Sequence, residues 1–151
     1  MIKKLMDRVA DAIAATDDKP DHDRDEVIRM ATAVLMIDVA RADHVFDESE
    51  FDSVLDLVQS HFALPAEQAA ELVIAANDKA EDLVSAYDFT KVLHEHLDHG
   101  EKARVVGLLW KIAYADGRLD KYEDSLVLKI SDLLHVSRGL VMRLKHDAQN
   151  A

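Results

Sequence analysis

Two short acidic segments of the chain have the residue types and the spacing to bind a metal ion. Both follow the pattern Ala-x-Ala-Asp-x-x-φ-Asp-x-x-Glu, where φ is Phe46 in the first segment and Leu119 in the second. The acidic positions of the two segments are Asp43, Asp47, Glu50, Asp116, Asp120 and Glu123. Carboxylate oxygens are the ligands that hard cations such as Mg²⁺, Ca²⁺ and Mn²⁺ prefer. One interpretation of the motif is therefore a divalent-cation site built from these residues.

Asp43 and Asp116 are the hardest residues of the motif to explain by folding alone. Each follows a very apolar stretch that the sequence predicts to be a helix. A carboxylate at a helix C-terminus is unfavourable by roughly 0.3–1 kcal/mol because the macrodipole is negative there. An Asx-type turn, in which the carboxylate accepts N–H groups of the following loop, would offset this cost. A cation shared with the later acidic residues would offset it too, and both interpretations stay open.

The second half of the motif, Asp-x-x-Glu, also has a purely structural interpretation. Asp47 and Asp120 have the residue type and position of helix N-caps, and the glutamates three residues later can complete a capping box. Asp98 and Glu101 repeat this spacing before another predicted helix. Because capping alone can generate the pattern, we expect these acidic residues to act first as caps.

Two familiar metal motifs do not fit the chain. An EF-hand needs oxygen ligands at the third and twelfth positions of its loop, and counting from Asp43 these positions are Val45 and Val54. The segment His94-Glu95-His96-Leu97-Asp98-His99 is rich in ligand types, but no single helix face gathers three of them, and zinc needs three or four. We therefore interpret it as a histidine-rich helix end, whose imidazoles suit the negative C-terminus.

Apolar residues recur at helical spacing along almost the whole chain, and no segment shows sustained alternation. The chain also has only 4 glycines and 2 prolines, which argues against an all-β protein. The fold class predicted is all-α, a compact bundle of about seven to eight helices. The predicted helices cover residues 2–15, 25–42, 48–62, a segment after Pro65, a segment capped by Ser85 and Asp88, 101–115, 121–134 and a segment capped by Ser137.

The repeated acidic segments imply an internal duplication. Each lies between an almost wholly apolar helix, residues 25–42 or 101–115, and an amphipathic helix. The unit of apolar helix, acidic loop and amphipathic helix thus occurs twice. Such a pair commonly packs about a pseudo-two-fold axis, which would let the two apolar helices bury one another.

The domain organisation predicted is an N-terminal arm, residues 1–24, followed by a helical domain, residues 25–151. Residues 16–24 are polar, contain Pro20 and lack periodicity, so they are interpreted as a linker. The arm carries an apolar stripe over residues 2–13. This stripe either docks on the domain or makes a peripheral contact with a membrane surface or a partner.

Composition excludes several classes of function. The 151 residues include no cysteine, which excludes a disulfide scaffold, a thiolate zinc site, an iron–sulfur cluster and a cysteine nucleophile. A formal net charge of −12 disfavours nucleic acid as a partner. No apolar run suits a transmembrane segment or a secretory signal, so we expect a cytoplasmic protein. No nucleophile elbow or glycine-rich phosphate loop occurs, and we expect no enzymatic activity.

The doubled acidic motif between an apolar and an amphipathic helix resembles the TerB-like tellurite-resistance family over roughly residues 25–147. Two further segments carry the resemblance, Leu109-Trp110-Lys111-Ile112-Ala113-Tyr114-Ala115-Asp116-Gly117 and Tyr87-Asp88-Phe89-Thr90. The first acidic segment departs from the family pattern by having His44 in place of glycine. The chain is also similar to the N-terminal helical domain of membrane-anchored DnaJ-type co-chaperones. The resemblance implies an all-helical domain, a link to tellurite, metal or envelope stress, metal binding by the acidic loops, and partner binding.

Two functional hypotheses follow. The first is a non-enzymatic, stress-associated binding module of the TerB type that binds a divalent cation or a protein partner through its acidic loops. The alternative is a protein-interaction scaffold in which the acidic loops are structural and the partner contacts the stripe of residues 2–13 or an exposed helix groove.

Overall fold

The computed structural model describes residues 21–42, 47–81, 86–115 and 119–150, and all the regular secondary structure in these ranges is helical. This confirms the predicted all-α class. The described helices are α1 (Asp21–Ala40), α2 (Glu48–Phe62), α3 (Ala66–Glu81), α4 (Tyr87–His96), α5 (His99–Ala113), α6 (Lys121–Leu133) and α7 (Arg138–Gln149). The predicted helix over residues 2–15 lies outside the described ranges, as does the stripe of residues 2–13.

Helix α1 is the central element of the core. Every residue from Ala31 to Ile37 is buried, so the helix is enclosed on all sides, as its apolar circumference predicts. Thr32 is accommodated because its hydroxyl donates to the carbonyl of Ile28 at 2.8 Å. The predicted start at Asp25 is wrong, since the helix begins at Asp21. The lack of periodicity in residues 21–24 predicts a linker, but acidic residues in a first turn favour a helix start.

The two apolar helices pack against each other, and the remaining helices cover them. Helix α1 contacts α2, α3, α4 and α5, and α5 contacts α6 and α7. Contacts of α2 with α5 and of α1 with α6 link the two sets. The arrangement α1–α2–α3 therefore resembles α5–α6–α7, with α4 outside this pattern. The predicted duplication remains an interpretation of the sequence.

Local cap signals set most of the helix ends. Ser137 caps α7 by accepting from the N–H of Leu140, as predicted. The cap predicted for α4 is wrong: its N-cap is Ala86, without a side-chain cap bond, and Ser85 lies outside the described residues. Pro65 immediately precedes α3, and its carbonyl accepts from the N–H of Ala69 at 3.0 Å. None of the helices in the described ranges is long and apolar enough to cross a membrane.

Candidate functional site

Only part of the predicted acidic site lies within the residues that the structure describes. Asp43 and Asp116, the two residues at the predicted helix C-termini, lie outside the described ranges. The other four predicted residues are described, and each lies at the start of α2 or α6.

In the first acidic segment the structure confirms the capping interpretation. Asp47 Oδ1 accepts from the backbone N–H of Glu50 at 2.8 Å. Glu50 Oε1 accepts in return from the backbone N–H of Asp47 at 3.4 Å, which completes a capping box. An equivalent box joins Asp98 and Glu101 at the start of α5. The Asp-x-x-Glu spacing at Asp47 therefore has a structural role in this fold.

The second acidic segment is built differently. Asp120 caps α6, but its Oδ1 accepts from the backbone N–H of Tyr122 at 2.7 Å. Glu123 does not complete a box with Asp120 as predicted; its side chain is only 5% exposed. Glu123 is buried at the start of α6, whereas Glu50 is half-buried at the start of α2. The two acidic segments are thus not structurally equivalent at the glutamate.

Among the described residues, no group of three or more histidine, aspartate or glutamate side chains is arranged to hold a metal ion. Asp47, Glu50, Asp120 and Glu123 by themselves therefore do not form such a group. The site that includes Asp43 and Asp116 stays a prediction, since those two residues are outside the described ranges.

The histidine-rich segment makes contacts with protein groups. His94 Nδ1 lies 2.8 Å from the ammonium nitrogen of Lys102, and its ring stacks on the ring of His135 with centroids 4.3 Å apart. His135 adopts the left-handed conformation just after α6, with φ 61°. The segment therefore contributes to packing between α4, α5 and the end of α6.

The structure adds a site whose residues the sequence did not identify, a groove along the accessible face of α5. It consists of two adjoining cavities of about 380 and 410 Å³, which share His61 and Arg104. We call it the α5 groove. Its first cavity is the arginine end, lined by Arg24, Arg29, His61 and Arg104 with Asp25 and Glu101. Its second cavity is the apolar end, lined by Ala103, Gly107, Leu108, Leu144 and Ala148, with Lys111 and Asp147 at the edge.

The guanidinium groups of the arginine end are only partly engaged by the protein. Arg24 Nη2 donates to the carbonyl of His96 at 2.6 Å. The guanidinium carbon of Arg29 lies 6.0 Å from the centroid of the Phe62 ring, a cation–π distance. Within the described part of the chain, neither Arg29 nor Arg104 forms an ion pair with a carboxylate. Among the described residues, no carboxylate therefore occupies the guanidinium donors of these two arginines.

Burial and two nearby cations act on the ring of His61 in the groove. Its pKa is lowered from the ordinary value of 6.5, first by burial and then by the nearby cations Arg104 and Lys111. The charge that disfavours protonation of His61 would favour an anion at the same place. The groove is thus locally cationic in a protein of net charge −12.

One sequence signal could have indicated this groove. Gly107 lies in the interior of an apolar helix, where glycine is unfavourable relative to alanine. A Cβ atom added at Gly107 would meet no heavy atom within 4 Å, so the space beside it is open. The convergence of Arg104 with Arg24 and Arg29 has no comparable signal, since Arg104 is distant from both in the chain.

The fold agrees with a comparison against known protein families. The family model described as tellurite resistance protein TerB matches residues 29–146. The chain belongs to the TerB family. The TerB match begins inside α1 and ends inside α7, so it includes all of α5, the larger part of α1 and most residues of the α5 groove. The groove residues outside the match are Arg24, Asp25, Ile28, Asp147 and Ala148. Comparison with curated proteins and with solved structures gives no significant match.

Proposed function

We propose that this chain is a non-enzymatic binding module of the tellurite-resistance type, and that it binds a partner protein in the α5 groove. The observation that carries the proposal is that two cavities on the same side of α5 share His61 and Arg104 in their linings. A concave surface with apolar walls and a few convergent polar groups is typical of a binding site. The scaffold hypothesis offered two contact surfaces, the stripe of residues 2–13 and an exposed helix groove. The proposal takes the groove as the contact surface.

The two ends of the groove offer different kinds of interaction energy. At the apolar end, Leu144 and Ala148 provide partly exposed surface that a partner side chain can remove from water, at about 25 cal/mol per Å². At the arginine end, Arg29 and Arg104 provide planar donors that give orientation and specificity. This division suits a partner segment with both apolar and polar anchors.

The experiment adds one side chain inside the groove and leaves the other residues that line it unchanged. Gly107→Leu places a side chain in the open space at the apolar end, in a residue type that favours helix. Gly139→Leu is the matched control, because Gly139 also has open space around its Cβ position and does not line the groove. A photoreactive residue at Ala148 then reports contact in living cells, and one at exposed Asp78 serves as the background.

We expect a protein adduct from position 148, its loss in Gly107→Leu and its retention in Gly139→Leu. Equal adducts from positions 148 and 78, or adducts that Gly107→Leu leaves unchanged, would contradict the proposal. In a host that depends on this chain for tellurite tolerance, Gly107→Leu should lower tolerance and Gly139→Leu should not. We expect the module to act in the cytoplasm.

A second proposal is divalent-cation binding by the acidic segments. The cap hydrogen bonds of Asp47 and Asp120 use Oδ1 alone, so Oδ2 of each carboxylate is not involved in capping. Together with Asp43 and Asp116, these oxygens would supply hard ligands for Mg²⁺, Ca²⁺ or Mn²⁺. Aspartate-to-asparagine substitution separates the capping role from the metal role, as set out in the Discussion.

A further inference from the structure

The arginine end of the α5 groove has an unusual charge for this protein. The whole chain carries 30 acidic residues against 18 basic ones. In the arginine end, three arginines face the cavity against two carboxylates, Asp25 and Glu101. Glu101 is already engaged, because its Oε1 accepts from the backbone N–H of Asp98 at 3.0 Å. The cavity is therefore a local excess of cationic donors.

The side chains of the arginine end come from three different helices and line the same cavity. Arg29 comes from α1, His61 from the last turn of α2, and Arg104 from α5. The aromatic ring of Phe62 supports the Arg29 guanidinium from one side. With no carboxylate of the described chain paired to Arg29 or Arg104, an external carboxylate can accept from both.

The apolar end lies one turn of α5 away from Arg104. It therefore determines which kind of side chain the bound segment carries near its carboxylate. Arg104 and Leu108 are four residues apart on α5, which is roughly 6 Å along the helix axis at 1.5 Å per residue. Two residues of an extended peptide span roughly the same distance. A side chain two positions beyond the carboxylate would thus lie beside Gly107, where the space around a Cβ position is open.

We propose that the partner segment held in the α5 groove is acidic, with a carboxylate bound by Arg29 and Arg104 beside His61 and an apolar side chain two positions away at Gly107 and Leu108. This inference rests on the proposed function and adds the chemistry of the partner. The inference gives each end of the groove a role: the arginine end binds the carboxylate, and the adjoining apolar end binds the apolar side chain.

The test uses a defined probe, the peptide acetyl-Gly-Glu-Ser-Leu-Gly-amide, titrated into the full chain and followed by nuclear magnetic resonance. The matched probes are the same peptide with glutamine in place of glutamate, and inorganic phosphate. The matched variants are Arg104→Gln in the groove and Arg143→Gln at an exposed position of α7 outside it. The signals observed are the arginine Nε–H groups and the ring of His61.

We expect the glutamate peptide to shift the signals of Arg29, Arg104 and His61, and to bind at least tenfold more tightly than the glutamine peptide. Arg104→Gln should weaken binding at least fivefold, whereas Arg143→Gln should leave it unchanged. Equal binding of the two peptides, no binding of the glutamate peptide, or equal weakening by the two arginine variants would overturn the proposal. Phosphate that binds the same residues more tightly than the peptide would overturn it as well, in favour of a free oxyanion.

Failure of this inference is distinguishable from failure of the proposed function. If the adduct formed from position 148 in cells persists in Arg104→Gln and disappears in Gly107→Leu, the groove binds a partner that is not selected by its acidity. If no such adduct forms in the unmodified groove, the proposed function itself is wrong.

Discussion

Nζ of Lys102 lies 2.8 Å from Nδ1 of His94, although Lys102 is only 5% exposed. A lysine ammonium can only donate, so a hydrogen bond from it needs the His94 tautomer that carries its proton on Nε2. In the described chain Lys102 forms no ion pair with a carboxylate. A charge buried against a neutral partner costs more than it returns in Coulomb energy.

The first prediction follows from that pair. Lys102→Met keeps the length of the side chain and removes the charge, so the free energy of unfolding should rise, by about 1 kcal/mol. Lys91→Met, at an exposed position of α4, should change it little. Chemical denaturation measures both, and ¹⁵N spectra of the ring should show the Nε2–H tautomer of His94 only while Lys102 is present. A loss of stability in Lys102→Met would show that the contact is net favourable.

The second prediction concerns Asp38 on α1. Burial raises the pKa of its carboxyl above the ordinary 3.8, and the cations Arg41 and Lys129 oppose this effect only in part. The folded protein thus holds the proton more tightly than the unfolded chain, and ionised Asp38 lowers stability above pH 3.8. Asp38→Asn should raise the free energy of unfolding at pH 7, and the gain should shrink as the pH falls toward 3.8.

Thermal unfolding across this pH range measures the effect of Asp38. The control is Asp56→Asn, at an exposed position of α2, which should give no comparable gain. A gain for Asp38→Asn that stays the same at pH 4 and pH 7 would contradict an electrostatic origin.

The third prediction concerns His61 in the α5 groove. Its pKa is lowered by burial, by Arg104 and by Lys111, so the unfolded chain takes up the proton more readily than the folded protein. Stability should therefore decrease as the pH falls below about 6.5, the ordinary histidine value. Arg104→Gln removes one of the two cations, and the pKa of His61 should rise toward 6.5 without reaching it, since burial remains.

Titration of the His61 ring signals gives this pKa directly. Arg143→Gln removes the same charge from a position outside the groove and should leave the pKa of His61 in place. If Arg104→Gln and Arg143→Gln shift the pKa of His61 equally, the shift is caused by the net charge of the protein rather than by the cations of the groove.

The fourth prediction concerns the helix that forms the floor of the groove. Gly107→Ala adds a methyl group where no atom lies within 4 Å and reduces the backbone freedom of the unfolded chain. The free energy of unfolding should rise by roughly 0.5–1 kcal/mol. A decrease, measured by denaturation with urea, would mean that the space beside Gly107 is not open in solution.

The fifth prediction separates capping from metal binding in the acidic segments. Asparagine caps a helix about as well as aspartate, so Asp47→Asn and Asp120→Asn should leave stability nearly unchanged in chelator. If the segments bind a cation, calorimetry with Mg²⁺, Ca²⁺ or Mn²⁺ should give heat with the unmodified chain and much less with the double variant. A cation at 100 times its Kd would stabilise the chain by about 2.7 kcal/mol. Absence of heat with every one of these ions would remove the metal proposal.

Local signals in the sequence were sufficient for the helices themselves. The bounds of α2, Glu48–Phe62, agree with the predicted residues 48–62, because periodicity defines the helix and Asp47 defines its start. Ser137 and Asp98 mark helix starts for the same reason. The start of α1 at Asp21 was missed because its first turn is polar on every side, and only its later residues reach the core.

The site depended on information that no local pattern contains. Arg29, His61 and Arg104 come from three helices and meet only because α1, α2 and α5 pack together at particular angles. The same is true of Glu123, which the repeat equates with Glu50 but which the packing of α6 buries. Periodicity and caps act within one helix and determine where it begins, where it ends and which face is apolar. The distances between side chains of different helices follow from how those faces interlock, and the tertiary structure alone decided them.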